Sequence, residues 1–335
     1  MLMAPQPWIT PDGYERMTYA LATRGLSKRY GSRTALDGLD LSVPEGVVYG
    51  FLGPNGAGKT TTMRLLTGLI HPDAGSIELL GRPFERGDRR RLFDVGALIE
   101  SPAFYPYLSG RNNLRTLAAT GPTTPAGRVD EVLELMGLAS RARDKVSGYS
   151  LGMKQRLAIA AALLSDPKLL LLDEPANGLD PAGIVAMRDT LRRLAAAGKT
   201  VFVSSHILSE VQQLVDVVGI IAAGRLVREG TISELLHDEG VVRVRVAPGE
   251  VEAATAALAL LEDRPRVEVG TDAAGGRLTI HVAPSRAAAI NQALAERGVY
   301  ASRVEAGSDL EGLFLQLTAE APPPDVPAGP SWAAP

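Results

Sequence analysis

Glycine, lysine and threonine residues between positions 53 and 61 are spaced as a phosphate-binding loop would require. The segment consists of Gly53, Pro54, Asn55, Gly56, Ala57, Gly58, Lys59, Thr60 and Thr61. An apolar run at 47–52 predicts a buried strand before it, and a helix is expected to begin near Lys59. Glycines allow backbone angles and close approaches that a β-carbon would block. With the partial positive charge of the helix start, the spacing predicts a site for a phosphate chain.

Two adjacent carboxylates, Asp173 and Glu174, follow a second apolar run at 169–172. Strand ends of this kind carry ligands in open α/β sheets. Asp173 is predicted to hold Mg²⁺ through water, because Mg²⁺ gives up its hydration shell reluctantly, and Thr60 to ligate the same ion. Glu174 is predicted to accept a proton from an attacking water. With Lys59 bridging the β- and γ-phosphates, this pattern predicts hydrolysis of a nucleoside triphosphate.

A third segment, Tyr149-Ser-Leu-Gly-Met-Lys-Gln-Arg156, lies shortly before the acidic pair. It resembles, in degenerate form, the Leu-Ser-Gly-Gly-Gln signature of the ATP-binding subunits of ABC transporters, from which residues 149, 151 and 153 depart. The resemblance implies that Ser150 and Gly152 contact the γ-phosphate of ATP bound to the opposite subunit, in a head-to-tail dimer with two ATP molecules. By residue type alone, Ser150 also suits the N-cap of an ordinary helix. The departures leave open whether both composite sites are equally active.

Three further residues fall in the order that this family shows. The resemblance implies that Tyr30 stacks on adenine, that Asp180 communicates across the dimer, and that His206 reaches the γ-phosphate. The alternatives are a core or rim tyrosine, a turn built from Asn, Gly and Pro, and a structural histidine at the end of a strand at 200–205. The order of the motifs favours the functional interpretation.

Glu100 departs from the family pattern, which has a glutamine after the strand that leads into the helical subdomain. Amide and carboxylate both offer an oxygen to Mg²⁺, but the carboxylate adds a negative charge and lacks the NH₂ donor. Glu100 is therefore predicted to contact the nucleotide and its metal ion. Such an acid, with the segment 101–109 after it, resembles subunits of exporters that protect bacteria against bacitracin and lantibiotic-type peptides. The alternative is drift at a tolerant position.

The composition suits a cytosolic enzyme and excludes several other classes. The 335 residues are 45% hydrophobic and 22% charged, which allows one full cassette and a small second domain. The absence of cysteine excludes disulfides and thiolate sites, and a net charge of -3 predicts no nucleic-acid partner. No run approaches the roughly 18–20 apolar residues of a membrane helix. A transporter would therefore need a separate membrane-embedded permease, with this chain peripheral at the cytoplasmic face of the cell membrane.

The predicted fold class is α/β, with a P-loop NTPase cassette of the ABC type over residues 20–238. A helical subdomain is predicted as an insert at about 107–165. Residues 1–19 are rich in Pro and polar residues and are expected to be disordered. The basic stretch 82–91 is predicted to be a solvated helix between strands.

A second, small domain is predicted over residues 241–318. Its alternating patterns give the order β-α-β-β-α-β, with the last strand at 299–304, which predicts an α+β ferredoxin-like unit. A capping box of Ser308 and Glu311 predicts one more helix. The Pro-rich tail 319–335 is expected to be extended or disordered.

The motifs together predict an ATPase whose catalytic residues are Glu174, His206 and Lys59. ATP and Mg²⁺ would close a dimer of cassettes, expected to be a homodimer, and hydrolysis would reopen it. The segment 100–108 is the predicted contact with the permease, and the cargo is predicted to be an antibiotic peptide or drug, with lipid or ions as alternatives. A rival function is a soluble ABC ATPase that acts on ribosomes or DNA. It fits less well, because neither a second cassette nor a long heptad-patterned arm is visible.

Overall fold

The computed structural model describes residues 18–85, 87–100, 103–121, 124–207, 211–237, 240–261, 264–272, 275–308 and 314. Three predictions lie wholly or almost wholly outside these residues: the disordered segment 1–19, the helix that begins at Ser308, and the tail 319–335. The described part of the chain is built on three β-sheets.

The first sheet is antiparallel and contains β1 (Tyr19–Tyr30), β2 (Arg33–Pro44), β4 (Ala74–Leu79) and β5 (Arg82–Pro83), in the order β2-β1-β4-β5. The predicted helix at 82–91 is wrong, because the chain forms β5 and then a 3₁₀ turn at Arg89–Asp94. Gly87 adopts φ +91°, a left-handed conformation that does not occur inside an α-helix. A helix-breaking position therefore lies in the middle of the basic stretch.

Five parallel strands and one antiparallel edge strand form the central sheet. In spatial order they are β10 (Arg225–Thr231), β9 (Val217–Ala222), β3 (Val48–Leu52), β8 (Thr200–Ser205), β7 (Leu169–Asp173) and β6 (Val95–Leu98). Every residue of β3, β7 and β8 is buried, as expected for parallel strands that are covered on both faces. These apolar strands fix the loops that follow them.

Helices pack on both faces of the central sheet, α1 (Lys59–Leu66) on one and α4 (Leu151–Ala162) and α5 (Pro181–Ala196) on the other. The other helices are α2 (Gly110–Thr120) and α3 (Arg128–Leu135), which pack with α4, and α6 (Ile232–His237), which follows β10. Leu169 and Leu171 join the hydrophobic core that includes α1, whereas Leu170 and Leu172 join the core that includes α4 and α5. In the described ranges, no helix combines the length and the apolar character that crossing a bilayer requires.

The C-terminal unit has its own sheet and its own hydrophobic core. Its elements are β11 (Gly240–Val246), α7 (Val251–Leu258), β12 (Arg266–Asp272), β13 (Gly275–His281), α8 (Ala287–Ala295) and β14 (Arg303–Ser308). The strands are antiparallel in the order β12-β13-β11-β14. The element order is the β-α-β-β-α-β of a ferredoxin-like unit.

The last strand of this unit begins at Arg303 and not at the predicted position 299. Gly298 adopts φ +75°, and the N–H groups of Gly298 and Val299 donate to the carbonyls of Ala295 and Leu294. This is the Schellman pattern that ends a helix. Val299 is buried because it completes the end of α8 as an apolar contact, so its apolar character does not mark a strand.

Candidate active site

Four neighbouring strands of the central sheet are followed by predicted site residues. The strands β3, β8, β7 and β6 are adjacent in that order. One or two residues beyond their ends lie, respectively, Gly53, His206, Glu174 and Glu100. Because these strands are parallel, their carboxyl ends lie side by side. The fold therefore gathers residues that are distant in sequence at one edge of the sheet.

Two glycines of the phosphate loop lie where no side chain fits. A β-carbon on Gly53 would lie 2.4 Å from the carbonyl oxygen of Ile221, and one on Gly58 would lie 2.8 Å from that of Ala35. Gly58 also adopts φ +114°, which other residues rarely reach. The loop backbone is thus packed against the core at the start of α1, where helix amides and the helix dipole favour an anion.

Lys59, the first residue of α1, is buried and turned towards its own loop. Its Nζ donates to the carbonyl oxygens of Gly53 at 2.7 Å and Pro54 at 3.3 Å, and lies 3.5 Å from Oε1 of Glu174. Burial lowers the pKa of the ammonium group, although Glu174 and Asp173 oppose this effect. The ammonium therefore lies between the loop and the acidic pair.

The carboxylate of Asp173 is buried and is held through both of its oxygens. Thr60 Oγ1 donates to Oδ2 at 2.8 Å, and Ser204 Oγ donates to Oδ1 at 2.5 Å. The Ser204 hydroxyl also accepts the backbone N–H of Glu174 at 3.0 Å. Thr60 and Asp173, the two predicted metal ligands after strands β3 and β7, are thus in direct contact.

Glu174 lies between two basic side chains. Its Oε2 is 2.6 Å from Nδ1 of His206, and its Oε1 faces Lys59. Its backbone adopts φ +49°, a conformation that a residue with a side chain keeps only where its surroundings hold it. The three predicted catalytic residues therefore meet in one place, with a carboxylate that can accept a proton.

A cavity of about 320 Å³ opens beside Lys59. Its walls are formed by Tyr30, Arg33, Ala35, Asn55, Gly56, Gly58, Lys59, Thr60, Thr61 and Glu174. Tyr30 is 45% exposed, so part of its aromatic ring is accessible to a ligand. Arg33 adds a cation to the wall that the sequence motifs did not indicate. Its position in the hairpin of β1 and β2 would have been the only signal for it.

The side chains that meet here fit a nucleotide with its magnesium ion. Mg²⁺ in such sites is held by one or two carboxylates together with substrate phosphates and water. Asp173 and Thr60 supply one carboxylate and one hydroxyl. Within the described ranges, no group of three or more His, Cys, Asp or Glu side chains could hold a metal ion by itself. The donor set therefore suits a metal that arrives with phosphate ligands.

The predicted signature residues lie in a second cavity, of about 530 Å³, which shares no wall residue with the first. Ser150 caps α4 by accepting the N–H of Met153, and Asp180 caps α5 by accepting that of Gly183. Ser150, Gly152 and Asp180 all line this cavity. A single copy of the chain thus does not bring them to Lys59.

Glu100 is ion-paired with Arg64 of α1 and does not line the cavity beside Lys59. Its backbone adopts φ +64°. Asp173 accepts hydrogen bonds from Thr60 and Ser204, whereas Glu100 accepts one from Arg64. In the structure, Glu100, the third predicted metal ligand, therefore contacts an arginine and not the other two predicted ligands.

Comparison with known proteins identifies the relatives of this chain. A family model described as "ABC transporter" matches residues 36–177. The bacitracin transport ATP-binding protein BcrA of Enterococcus faecalis is 38% identical over 304 residues, covering 90% of this chain and 97% of the relative. The daunorubicin resistance ATP-binding protein DrrA3 of Streptomyces coeruleorubidus is 40% identical over 308 residues, covering 90% and 96%. Both matches are long enough to extend into the C-terminal unit.

Among solved structures, an ATP-binding subunit of an ABC transporter superposes with a TM-score of 0.59 at 29% sequence identity. The superposition covers 64% of this chain and 91% of the matched chain. The likeness confirms the predicted cassette fold.

Proposed function

This chain belongs to the ABC transporter family, and we propose that it hydrolyses ATP to drive export of an antibiotic peptide or drug. Members of this family hydrolyse ATP to drive transport, which accounts for the ATPase activity and the transport role. The cargo is suggested by relatives named for bacitracin transport and daunorubicin resistance, each matching 90% of this chain. The observation that carries the catalytic assignment is the position of Glu174 between Lys59 and His206, beside Asp173.

The proposed roles follow from what each side chain contacts. Lys59 and the loop amides would bind the β- and γ-phosphates, and Thr60 and Asp173 would hold Mg²⁺. When bound, the metal ion would neutralise part of the phosphate charge. Glu174 accepts a proton from water, with its carboxylate oriented by His206. His206 and Lys59 also stabilise charge that develops on the γ-phosphate.

We further propose that each nucleotide site is completed by a second copy of the chain. The cavity with Ser150, Gly152 and Asp180 is separate from the cavity with Lys59, so a γ-phosphate in one copy would meet the signature segment of another. Ser150 and Gly152 lie at the N-terminus of α4, and the partial positive charge of a helix start favours an anion there. ATP would close the homodimer, and hydrolysis would reopen it.

The family implies a membrane permease as partner, and we propose that the chain binds it at the cytoplasmic face of the membrane. The described residues of the segment 100–108 support this contact. Tyr105 and Tyr107 are 51% and 65% exposed, and their rings lie 5.8 Å apart. Exposed aromatic side chains of this kind often anchor protein interfaces.

The test of the catalytic assignment is Glu174→Gln. The amide cannot accept the proton, so ATP turnover should fall by about 10²- to 10⁴-fold while ATP still binds. Phosphate release measures turnover, and titration with a fluorescent ATP analogue measures binding. Glu78→Gln is the matched control, because Glu78 is an exposed carboxylate on β4 and should leave turnover unchanged. Retained turnover in Glu174→Gln would reject Glu174 as the general base.

The same variant tests the composite site. With ATP and Mg²⁺, light scattering of Glu174→Gln should show a dimer that dissociates when nucleotide is removed. Single copies at saturating nucleotide, even with the permease present, would reject the proposal that two copies share each ATP.

A further inference from the structure

Arg64 and Glu100 form an ion pair outside the catalytic cluster. Nη2 of Arg64 donates to Oε1 of Glu100, and the two side chains are 40% and 55% exposed. The hydrogen bond to Glu100 is the main reason that the pKa of Arg64 is raised, and a smaller contribution comes from Tyr30. Glu100 holds this position with its backbone at φ +64°, which is uncommon for a residue with a side chain. Residues in this conformation persist where the surrounding structure holds them, and they cluster at active sites and switch regions.

Arg64 lies on the same face of α1 as Thr60. The two residues are four positions apart, which places their β-carbons about 5–6 Å apart on one side of a helix. Thr60 contacts Asp173, so the proposed metal position is beside Thr60. Arg64 therefore holds the Glu100 carboxylate from a position one turn along α1 from Thr60. Glu100 lies two residues beyond the end of β6, whose parallel neighbour β7 ends at Asp173, so both carboxylates leave the same edge of the sheet.

The strength of the pair decides whether the Glu100 carboxylate can leave Arg64. An ion pair with both partners exposed is worth little, because water and salt screen it. Carboxylates are among the ligands that Mg²⁺ takes in nucleotide sites, so a metal ion bound beside Thr60 can compete for the Glu100 carboxylate. The pair can thus hold Glu100 without preventing its transfer to the metal.

We propose that Arg64 is a positioning residue that competes with the metal ion of the nucleotide for the Glu100 carboxylate. Glu100 has two positions, one on Arg64 and one beside Thr60, and binding of the magnesium nucleotide transfers it from the first to the second. A glutamine would be held less strongly by the arginine, since it carries no charge. The inference rests on the proposed ATP site, and it assigns to Arg64 a role that the sequence motifs do not indicate.

The experiment measures metal affinity directly. Mn²⁺ is titrated into Glu174→Gln protein with saturating ATP, and free Mn²⁺ is followed by electron paramagnetic resonance, so that hydrolysis does not contribute. Arg64→Met should tighten Mn²⁺ binding by about two- to five-fold, the range for loss of an exposed competing pair. Arg64→Lys, which keeps the charge, should return the affinity towards that of the parent.

Two controls separate competition from a general effect of removing a charge. Arg266→Met breaks an exposed pair with Glu268 in the C-terminal sheet and should leave Mn²⁺ affinity unchanged. In a Glu100→Gln background, Arg64→Met should have little further effect, because the competing carboxylate is gone. ATP affinity measured in EDTA, without free metal ion, detects any effect of Arg64→Met on the neighbouring Tyr30. This metal-free affinity should be unchanged by Glu100→Gln.

Three results would overturn the inference. Mn²⁺ affinity could be the same with and without Arg64, or Arg64→Met could act equally in the presence and absence of the Glu100 carboxylate. In both of these cases ATP would still bind, so the proposed ATP site would stand. If the parent protein and all variants failed to bind ATP, the proposed function and this inference would both be rejected.

Discussion

Ser204 is the residue on which the geometry of the acidic pair depends. Its hydroxyl donates to Asp173 and accepts the N–H of Glu174, so one buried side chain orients both the proposed metal ligand and the backbone of the proposed base. Without that hydroxyl, the buried carboxylate of Asp173 and the part-buried N–H of Glu174 would each lose a partner. Leaving the buried carboxylate oxygen without its partner costs about 1–3 kcal/mol.

Ser204→Ala should therefore weaken metal binding and lower the free energy of unfolding by about 1–3 kcal/mol. The Mg²⁺ dependence of ATP turnover should shift to higher metal concentration, and urea unfolding should show the loss of stability. Ser205→Ala is the matched control, because the neighbouring hydroxyl bonds with the backbone of Ile207 and not with the acidic pair. Equal shifts in the Mg²⁺ dependence of both variants would contradict a specific role for Ser204.

The site residues that could be predicted from the sequence belong to local motifs. The phosphate loop and the Asp173–Glu174 pair each occupy a few consecutive positions, so their chemistry is visible in one short stretch. Ser204 and Arg33 reach the site only through tertiary structure, Ser204 because β8 pairs with β7 so that it lies opposite Asp173. That register is not encoded in any short stretch. The ion pair of Glu100 with Arg64 depends in the same way on how β6 and α1 pack.

At the scale of elements, a charged cluster ties the helical region to the central sheet. Arg128, the first residue of α3, donates to Oδ1 of Asp166 at 2.9 Å and to the carbonyl of Leu163 at 2.8 Å. Lys199, just before β8, donates to the same carboxylate oxygen at 2.8 Å. Asp166 and Arg128 thus join the start of α3 and the end of α4 to the edge of the central sheet.

The Asp166 cluster predicts a dependence of stability on pH. The hydrogen bond from Lys199 is the main reason that the pKa of Asp166 is lowered below its usual 3.8. Its charge therefore stabilises the fold above that value, and the contribution is lost as the pH falls through the lowered pKa. Asp166→Asn should lower the free energy of unfolding at pH 7 by up to about 1 kcal/mol, because the carboxylate is largely exposed.

Urea unfolding at a series of pH values measures this difference between wild type and Asp166→Asn. The difference should shrink as the pH falls below 3.8, the usual pKa of the carboxyl group. Asparagine is a suitable replacement, since it tolerates the φ of +51° at this position. Lys199→Met should not add its full effect to Asp166→Asn. A difference that stays constant with pH would show that the charge of Asp166 is not what stabilises the fold.

Elements with a strong apolar period were predictable, and those whose ends depend on backbone conformation were not. Strand β8 has the predicted bounds because a run of buried residues defines it. The stretch 82–91 contains charges that suit a helix, but Gly87 in its middle adopts a left-handed conformation. Position 299 does not begin the last strand, because Val299 belongs to the end of α8, where its N–H donates to the carbonyl of Leu294.

At the scale of the whole molecule, the catalytic and signature halves of the proposed site face different cavities of one chain. Transport then requires that closure of two copies be transmitted to the permease. In the described part of the segment 100–108, the accessible aromatic groups are Tyr105 and Tyr107, which are close in the chain to Glu100. A movement of Glu100 on nucleotide binding would therefore occur next to the proposed permease contact.

Tyr107→Ser tests that contact with the whole complex. Removing an exposed aromatic anchor should weaken binding of the chain to membranes containing its permease by about tenfold or more, the size of an interface hot spot. The ATP turnover of the isolated subunit should stay at the wild-type level, since Tyr107 lines neither of the two cavities. Tyr300→Ser is the matched control, because that tyrosine is 74% exposed and follows α8 in the C-terminal unit. Co-sedimentation with permease-containing vesicles measures binding. Equal binding of both variants would place the permease contact elsewhere, whereas loss of turnover in Tyr107→Ser alone would mean that the segment serves catalysis directly.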